Sequence, residues 1–221
     1  MENIFENKKF AGFVTLIVII VVLVSVFKDS KKNIEKSREA IKSYPLEVVN
    51  HNYYKNAINI DVDDVLVEFN NDNKDGVLVK VIARDGADYK VYENEDVLNI
   101  KMSKTNCEGT CLEKEKVIVS LPGDYAINLN INSEKGNVIA NDLNINSSNI
   151  VLKEGSLSIK TLKIDGDSII NITKGDIKIE ELKDINIVAE INEGKNNIRG
   201  NNTSSNIKLD IVVDKGNVLI N

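Results

Sequence analysis

Five glycines constrain what this chain can fold into more than any other feature. Gly136, Gly155, Gly175, Gly194 and Gly216 follow one another at intervals of 19, 20, 19 and 22 residues within the stretch Leu129 to Asn221. A long charged residue precedes each one: Lys135, Glu154, Lys174, Glu193 and Lys215. Apolar residues stand five and three positions before the glycine and two and four after it, as Ile170, Ile172, Ile177 and Ile179 do around Gly175. A second alternating pair often follows, such as Leu143 with Ile145 and Leu162 with Ile164. Strict alternation marks strands with one buried face. A period near twenty marks coils that bury their apolar rows only by stacking on one another. The expected fold class is therefore all-β: a single-chain β-solenoid of coils about twenty residues long, with the glycines at strand-to-strand corners that disfavour a Cβ.

This reading has definite consequences. Ile170, Ile172, Ile177 and Ile179 should stand in register with Ile150, Leu152, Leu157 and Ile159 of the preceding coil, in parallel strands. Lys174 should lie between Glu154 and Glu193 in an exposed charge ladder. The competing arrangement is an antiparallel sandwich in which neighbouring repeats pair as hairpins. The repeat also has exceptions: Ser133 and Asn196 occupy positions that are apolar in other coils. The polar run from Gly200 to Asn206 reads as a longer loop leaving one edge of the stack.

Upstream, strand-like segments begin near Asn56, including Ile58-Asn59-Ile60, Val65 to Phe69, Val77 to Ile82, Tyr89 to Tyr92, Val97 to Met102 and Val117 to Leu121. Turn residues separate them, among them Asp72 to Gly76 and Asp85-Gly86. Residues 50–221 thus read as one continuous β domain whose early part forms the first rungs and caps the stack.

At Leu121-Pro122-Gly123, Leu129-Asn130-Ile131 and the serial Gly-x-apolar-x-apolar coils, the sequence resembles the bacterial "putative adhesin" β-strand-repeat family, also called toast-rack domains, over roughly residues 55–221. The resemblance implies an exported or membrane-anchored envelope protein built as a stack of short strands. Some members accompany envelope-stress signalling systems of Gram-positive bacteria. It implies no catalytic residues and no cofactor.

The segment before the β domain carries a different signal. Phe10 to Phe27 is an 18-residue apolar run broken only by Gly12, Thr15 and Ser25. As a helix it would extend about 27 Å, near the ~30 Å hydrocarbon core, with Lys9 and Lys28 reaching the headgroups. It exceeds the length of a signal-peptide core and lacks a small-residue cleavage site before Lys28. The expected organisation is a cytoplasmic tail at residues 1–9, a single membrane span at 10–27, a juxtamembrane stalk at 28–49 and an extracytoplasmic domain at 50–221. Counting positive charges alone would place the long part in the cytoplasm, since most basic residues of this region follow the span. The signal-anchor layout and the cysteine pair point outward.

Net charge of -6 conceals a division. Residues 1–43 hold 8 Lys/Arg against 5 Asp/Glu, leaving 20 against 29, or -9, for residues 44–221. An acidic folded part argues against nucleic acid as a partner. Cys107 and Cys111 could form a disulfide, join a metal site or remain thiols; outside the cytoplasm the disulfide is expected, worth about 2 kcal/mol. Asp61, Asp63 and Asp64 form an acidic cluster, but alternation with Ile60 and Val62 places the first two on a solvent face. Asp165-Gly166-Asp167 reads as a turn, since the other oxygen ligands of a calcium loop are missing. With His51 as its single histidine, the chain shows no nucleophile, phosphate or zinc motif. The expected function is binding or scaffolding at the cell envelope, with a wall polymer, a lipid or a membrane protein as partner. The alternatives are an accessory ectodomain of an envelope-stress sensor and a carbohydrate-active β-helix enzyme.

Overall fold

The structure, a computed structural model, describes residues 46–54, 56–84, 87–103 and 115–221, with only the backbone given at 46–51 and at 84. The proposed span, most of the stalk, Cys107 and Cys111 lie outside the described residues, as does the side chain of His51. No helix long and apolar enough to cross a membrane occurs among the described residues.

Every regular element among the described residues is a strand. The early ones are β1 (Leu46–Tyr53), β2 (Ala57–Val62), β3 (Leu66–Asn70), β4 (Val77–Arg84), β5 (Tyr89–Asn94), β6 (Val97–Met102) and β7 (Lys116–Ser120). The glycine-marked part holds β8 (Ala126–Lys135), β9 (Val138–Glu154), β10 (Leu157–Ile164), β11 (Ser168–Lys174) and β12 (Ile177–Leu182). It ends with β13 (Asn186–Glu193), β14 (Asn196–Ile198), β15 (Lys208–Lys215) and β16 (Val218–Ile220). Burial alternates along them, as in β8, where Ile127, Leu129 and Ile131 face inward between exposed asparagines.

The strands form two ladders. Segments preceding the glycines pair in the order β5, β6, β2, β8, second half of β9, β11, β15, β13. Segments following the glycines pair in the order β1, β4, β7, β3, first half of β9, β10, β12, β16, β14. The 17-residue β9 belongs to both ladders. It passes from one to the other at Asn146, the extra residue of a bulge where the pairing jumps from Ile127↔Ile145 to Asn128↔Ser147. The inward-facing side chains of both ladders join in one apolar cluster.

The repeating coils pair in parallel. Ile170 and Ile172 lie opposite Ile150 and Leu152, and Ile177 and Ile179 lie opposite Leu157 and Ile159, as the period requires. Antiparallel pairing among the described strands is confined to the early part, at β1–β4, β4–β7 and β5–β6.

Order within the stack departs from order along the chain. The last coil, β15 with β16, sits between the coil of Gly175 and that of Gly194. Lys174 is therefore in register with Glu154 and Lys215, and Glu193 pairs with Lys215 at 3.0 Å, so the expected Lys174–Glu193 neighbourhood does not form. Side-chain composition explains the exchange. An interior coil is covered on both sides and needs complete apolar rows. Leu209, Ile211, Val213, Val218 and Ile220 supply them and are buried, whereas Ala189 and Ile191 of β13 are half-buried and Asn196 of β14 is exposed.

Polar side chains after the glycines carry the same order. The Ser156 N–H donates to Asn137 Oδ1 at 2.9 Å and the Asp176 N–H to Ser156 Oγ at 3.2 Å. The Asn217 N–H donates to Asp176 Oδ1 at 2.7 Å and the Lys195 N–H to Asn217 Oδ1 at 3.1 Å. Each coil thus offers an acceptor to the next, and the series stops at Lys195, whose side chain has none to give.

The early part deviates similarly. Strand β2 lies between β6 and β8 rather than at the end, and β3 lies between β7 and β9. The early strands stack together at one end of both ladders, though not in chain order: β1 and β5 are outermost there, and β3 and β2 lie against the later coils. At the other end, the run from Gly200 to Asn206 folds back over the terminal coil instead of leaving it. The Asn201 amide accepts from the Ile187 N–H at 2.8 Å and donates to the Ile187 carbonyl at 3.0 Å, while the Asn202 N–H reaches the Ile185 carbonyl at 3.0 Å. The loop thereby satisfies part of the outer backbone edge of β13, a common protection for edge strands.

Candidate binding face

Strand alternation sends Asn59, Asn99, Asn130 and Asn149 to the outer face of the first ladder, one per strand on β2, β6, β8 and β9. Parallel register then sets them side by side at the ~4.8 Å strand spacing. Asn149 Nδ2 donates to Asn130 Oδ1 at 3.3 Å, Asn130 Nδ2 to Asn59 Oδ1 at 2.7 Å, and Asn59 Nδ2 to Asn99 Oδ1 at 3.1 Å. Asn99 Nδ2 closes the series on the Val97 carbonyl at 3.2 Å. A primary amide has two N–H donors and two acceptor lone pairs. The ladder uses one of each at Asn59 and Asn130, orienting the amide planes while a second donor and acceptor stay outside the ladder.

Beside this row the surface sinks. Ala57 stands in register between Val97 and Asn128, and its lone methyl cannot fill the space between them. The result is an open depression of about 670 Å³ bordered by the asparagine row, the Asn94–Glu95 end of the β5–β6 hairpin, and Ser147. Glu95 is the single charged residue lining it. Ser147 Oγ donates to Asn128 Oδ1 at 3.2 Å, continuing the polar rim. Tyr92, 41% exposed, lies opposite Asn99 on β5. Across the stack, the same register row passes to exposed Ile169, then Asp210, then exposed Val188.

The residues singled out from the sequence fall elsewhere. The five glycines form a column along the corner between the ladders. A Cβ on Gly155 would overlap the carbonyl oxygen of Gly136, one on Gly175 that of Gly155, one on Gly216 that of Gly175, and one on Gly194 that of Gly216. Close approach of successive coils, together with φ between +147° and +159°, accounts for glycine at these positions. Asp61 accepts from Asn132 Nδ2 at 3.0 Å and stands in register with Lys101, so its carboxylate is engaged on the outer face. Asp64 turns the corner at φ +53°. Asp167 Oδ1 accepts from the Lys208 N–H at 2.9 Å, which makes the Asp165-Gly166-Asp167 turn a splice between coils. Among the described residues no three His, Cys, Asp or Glu side chains gather as a metal would require. On the outer face of the second ladder, the Lys178 ammonium, aided by Lys160, holds the Glu180 carboxyl below the ordinary carboxylate range.

Fold and face together define an all-β protein of stacked, mainly parallel coils with a broad, polar sheet surface. The chain belongs to the Toastrack DUF4097 family, whose model matches residues 55–221. Comparison with curated proteins finds no match. A solved structure from Clostridium sporogenes, a "putative cell adhesion protein", is similar at 11% identity with a TM-score of 0.55, covering 79% of this chain and 98% of that one. A "putative adhesin" from Bacteroides fragilis is 13% identical over 79% of this chain and 97% of that one, with a TM-score of 0.32. A "putative adhesin" from Parabacteroides distasonis is 13% identical over 80% and 97%, also at 0.32. At 11% identity the likeness to the Clostridium structure is one of fold.

Proposed function

We propose that this chain is a single-pass membrane protein of the cell envelope whose toastrack domain acts outside the cytoplasm as an adhesin-like binding or scaffolding module. The observation that carries this reading is the organisation of the described residues: the polar side chains converge on an open, ordered sheet face and not on an enclosed cleft. Binding across such a face needs a rigid array of donors and acceptors, whereas catalysis needs groups gathered around one reacting atom. The apolar run from Phe10 to Phe27 supplies the anchor, and the names of the similar solved structures agree with adhesion.

Fractionation of cells expressing the full chain tests the reading. The protein should stay with membranes after alkaline washing, and its intact mass should include Met1 or Glu2. Protease added to intact cells should remove the domain at 50–221, and detergent-solubilised protein should be retained on isolated cell walls or on an envelope partner. A mature chain beginning near Lys28, a domain protected from external protease, or purified protein retained on neither would overturn it.

A further inference from the structure

The geometry points to a neutral polysaccharide as the ligand of the asparagine face, an inference that rests on the envelope-binding reading and gives it a site and a substrate class. Three features select this chemistry. The lining of the depression carries one charged residue, Glu95, and no cation, so an anionic polymer finds nothing to neutralise it. The net charge of the chain, -6, opposes such a polymer further. The floor offers only Ala57 and Val97 as outward apolar side chains, too little for an acyl chain or an apolar helix. What remains is a row of amides on the outer face, in which Asn59 and Asn130 each keep a second donor and acceptor outside the ladder. Sugar hydroxyls are themselves both donor and acceptor, so one hydroxyl can satisfy both halves of one amide.

The row is also built in advance. Hydrogen bonds of 3.3, 2.7 and 3.1 Å between successive asparagines hold the amides in one orientation before any ligand arrives. Side-chain ordering that normally opposes binding has therefore already occurred on folding. Four rungs at the strand spacing span roughly 14 Å, the reach of a short extended oligosaccharide. Tyr92 flanks the Asn99 end of the row, where its exposed ring can lie against the C–H face of a sugar. The glycan would run across the strands, parallel to the stacking direction, with its hydroxyls meeting Asn99, Asn59, Asn130 and Asn149 in turn.

Titration of the full chain, solubilised in a detergent without a sugar headgroup, decides the matter. The probes are hexamers of glucose and of N-acetylglucosamine, with polyglutamate as the anionic control. Saturable binding of at least one neutral hexamer is expected, and polyglutamate should not bind. Asn130→Ala and Asn59→Ala should each weaken binding roughly fivefold, the equivalent of one lost hydrogen bond. Lys178→Ala, on the outer face of the other ladder, should leave it unchanged. Should the asparagine variants unfold, the wild-type chain labelled with nitrogen-15 still gives an answer: on addition of the hexamer, the side-chain amide signals of Asn59, Asn99, Asn130 and Asn149 should shift. Shifts confined to the opposite face, or preference for polyglutamate, would overturn the assignment. So would retention on isolated walls with no affinity for either neutral hexamer, an outcome that leaves the envelope-binding reading standing. Retention on neither walls nor hexamers would remove both.

Discussion

Ser133 shows how one residue can be out of keeping with its row. Its ladder neighbours are Val62 and Leu152, both buried, and its own hydroxyl is buried without a hydrogen-bond partner. Exchanging Ser133 for Val should raise stability by about 1 kcal/mol, because an unsatisfied polar group is removed from an apolar row. Denaturant unfolding of the purified chain would show it as a higher midpoint at unchanged slope. The glycine column makes the opposite demand. Gly175→Ala should cost about 3 kcal/mol or more, since the new Cβ meets backbone and the coils must part to admit it. Truncating Ile172 or Ile177 to Ala should cost about 2–5 kcal/mol, whereas Lys174→Ala, in an exposed pair 3.9 Å from Glu154, should change stability by less than about 1 kcal/mol. The alternation around each glycine made these inward positions legible in the sequence. The overlap between glycines of successive coils was not, because it depends on how closely the coils approach.

Among the elements, β13 and β15 are the informative pair. Strand β15 is hydrogen-bonded on both sides, by β11 and β13, while among the described residues β13 has a strand partner only in β15 and a loop amide at Ile187. Hydrogen exchange should therefore strip protection from Ala189 and Ile191 before Ile211 and Val213, although the latter come later in the chain. Equal protection of the two strands, or the reverse order, would contradict the observed placement. Periodicity could not disclose this exchange of places, since a twenty-residue repeat fixes register but is silent on which coil occupies which slot. A local signal was nevertheless present. The residue after each glycine is Asn137, Ser156, Asp176 and Asn217 in the coils that must serve a neighbour, and Lys195 in the coil that serves none. Read for acceptors, that position marks the end of the stack. The asparagine row was less accessible, because Asn99, Asn59 and Asn130 come together only through the placement of β2 between β6 and β8.

At the scale of the whole molecule, placement of the domain outside the cytoplasm can be tested through Cys107 and Cys111. Thiol labelling of intact cells should require prior reduction if the two are joined in an oxidising compartment. Labelling without reductant would remove the disulfide, and labelling that also needs lysis would reverse the topology. The interleaved coils have a different consequence, for how such a domain matures. A stack assembled in chain order could harden rung by rung as it emerges from a translocation channel. Here the coil of Gly194 has no surface to rest on until Lys208–Ile220 has passed through and slipped in beneath it. Loss of that last segment would not shorten the structure by one layer; it would withdraw an inner layer and strand the one above. If the domain is exported as proposed, its maturation waits on the delivery of Lys208–Ile220, and a chain stalled before that segment would carry a domain with an inner layer missing.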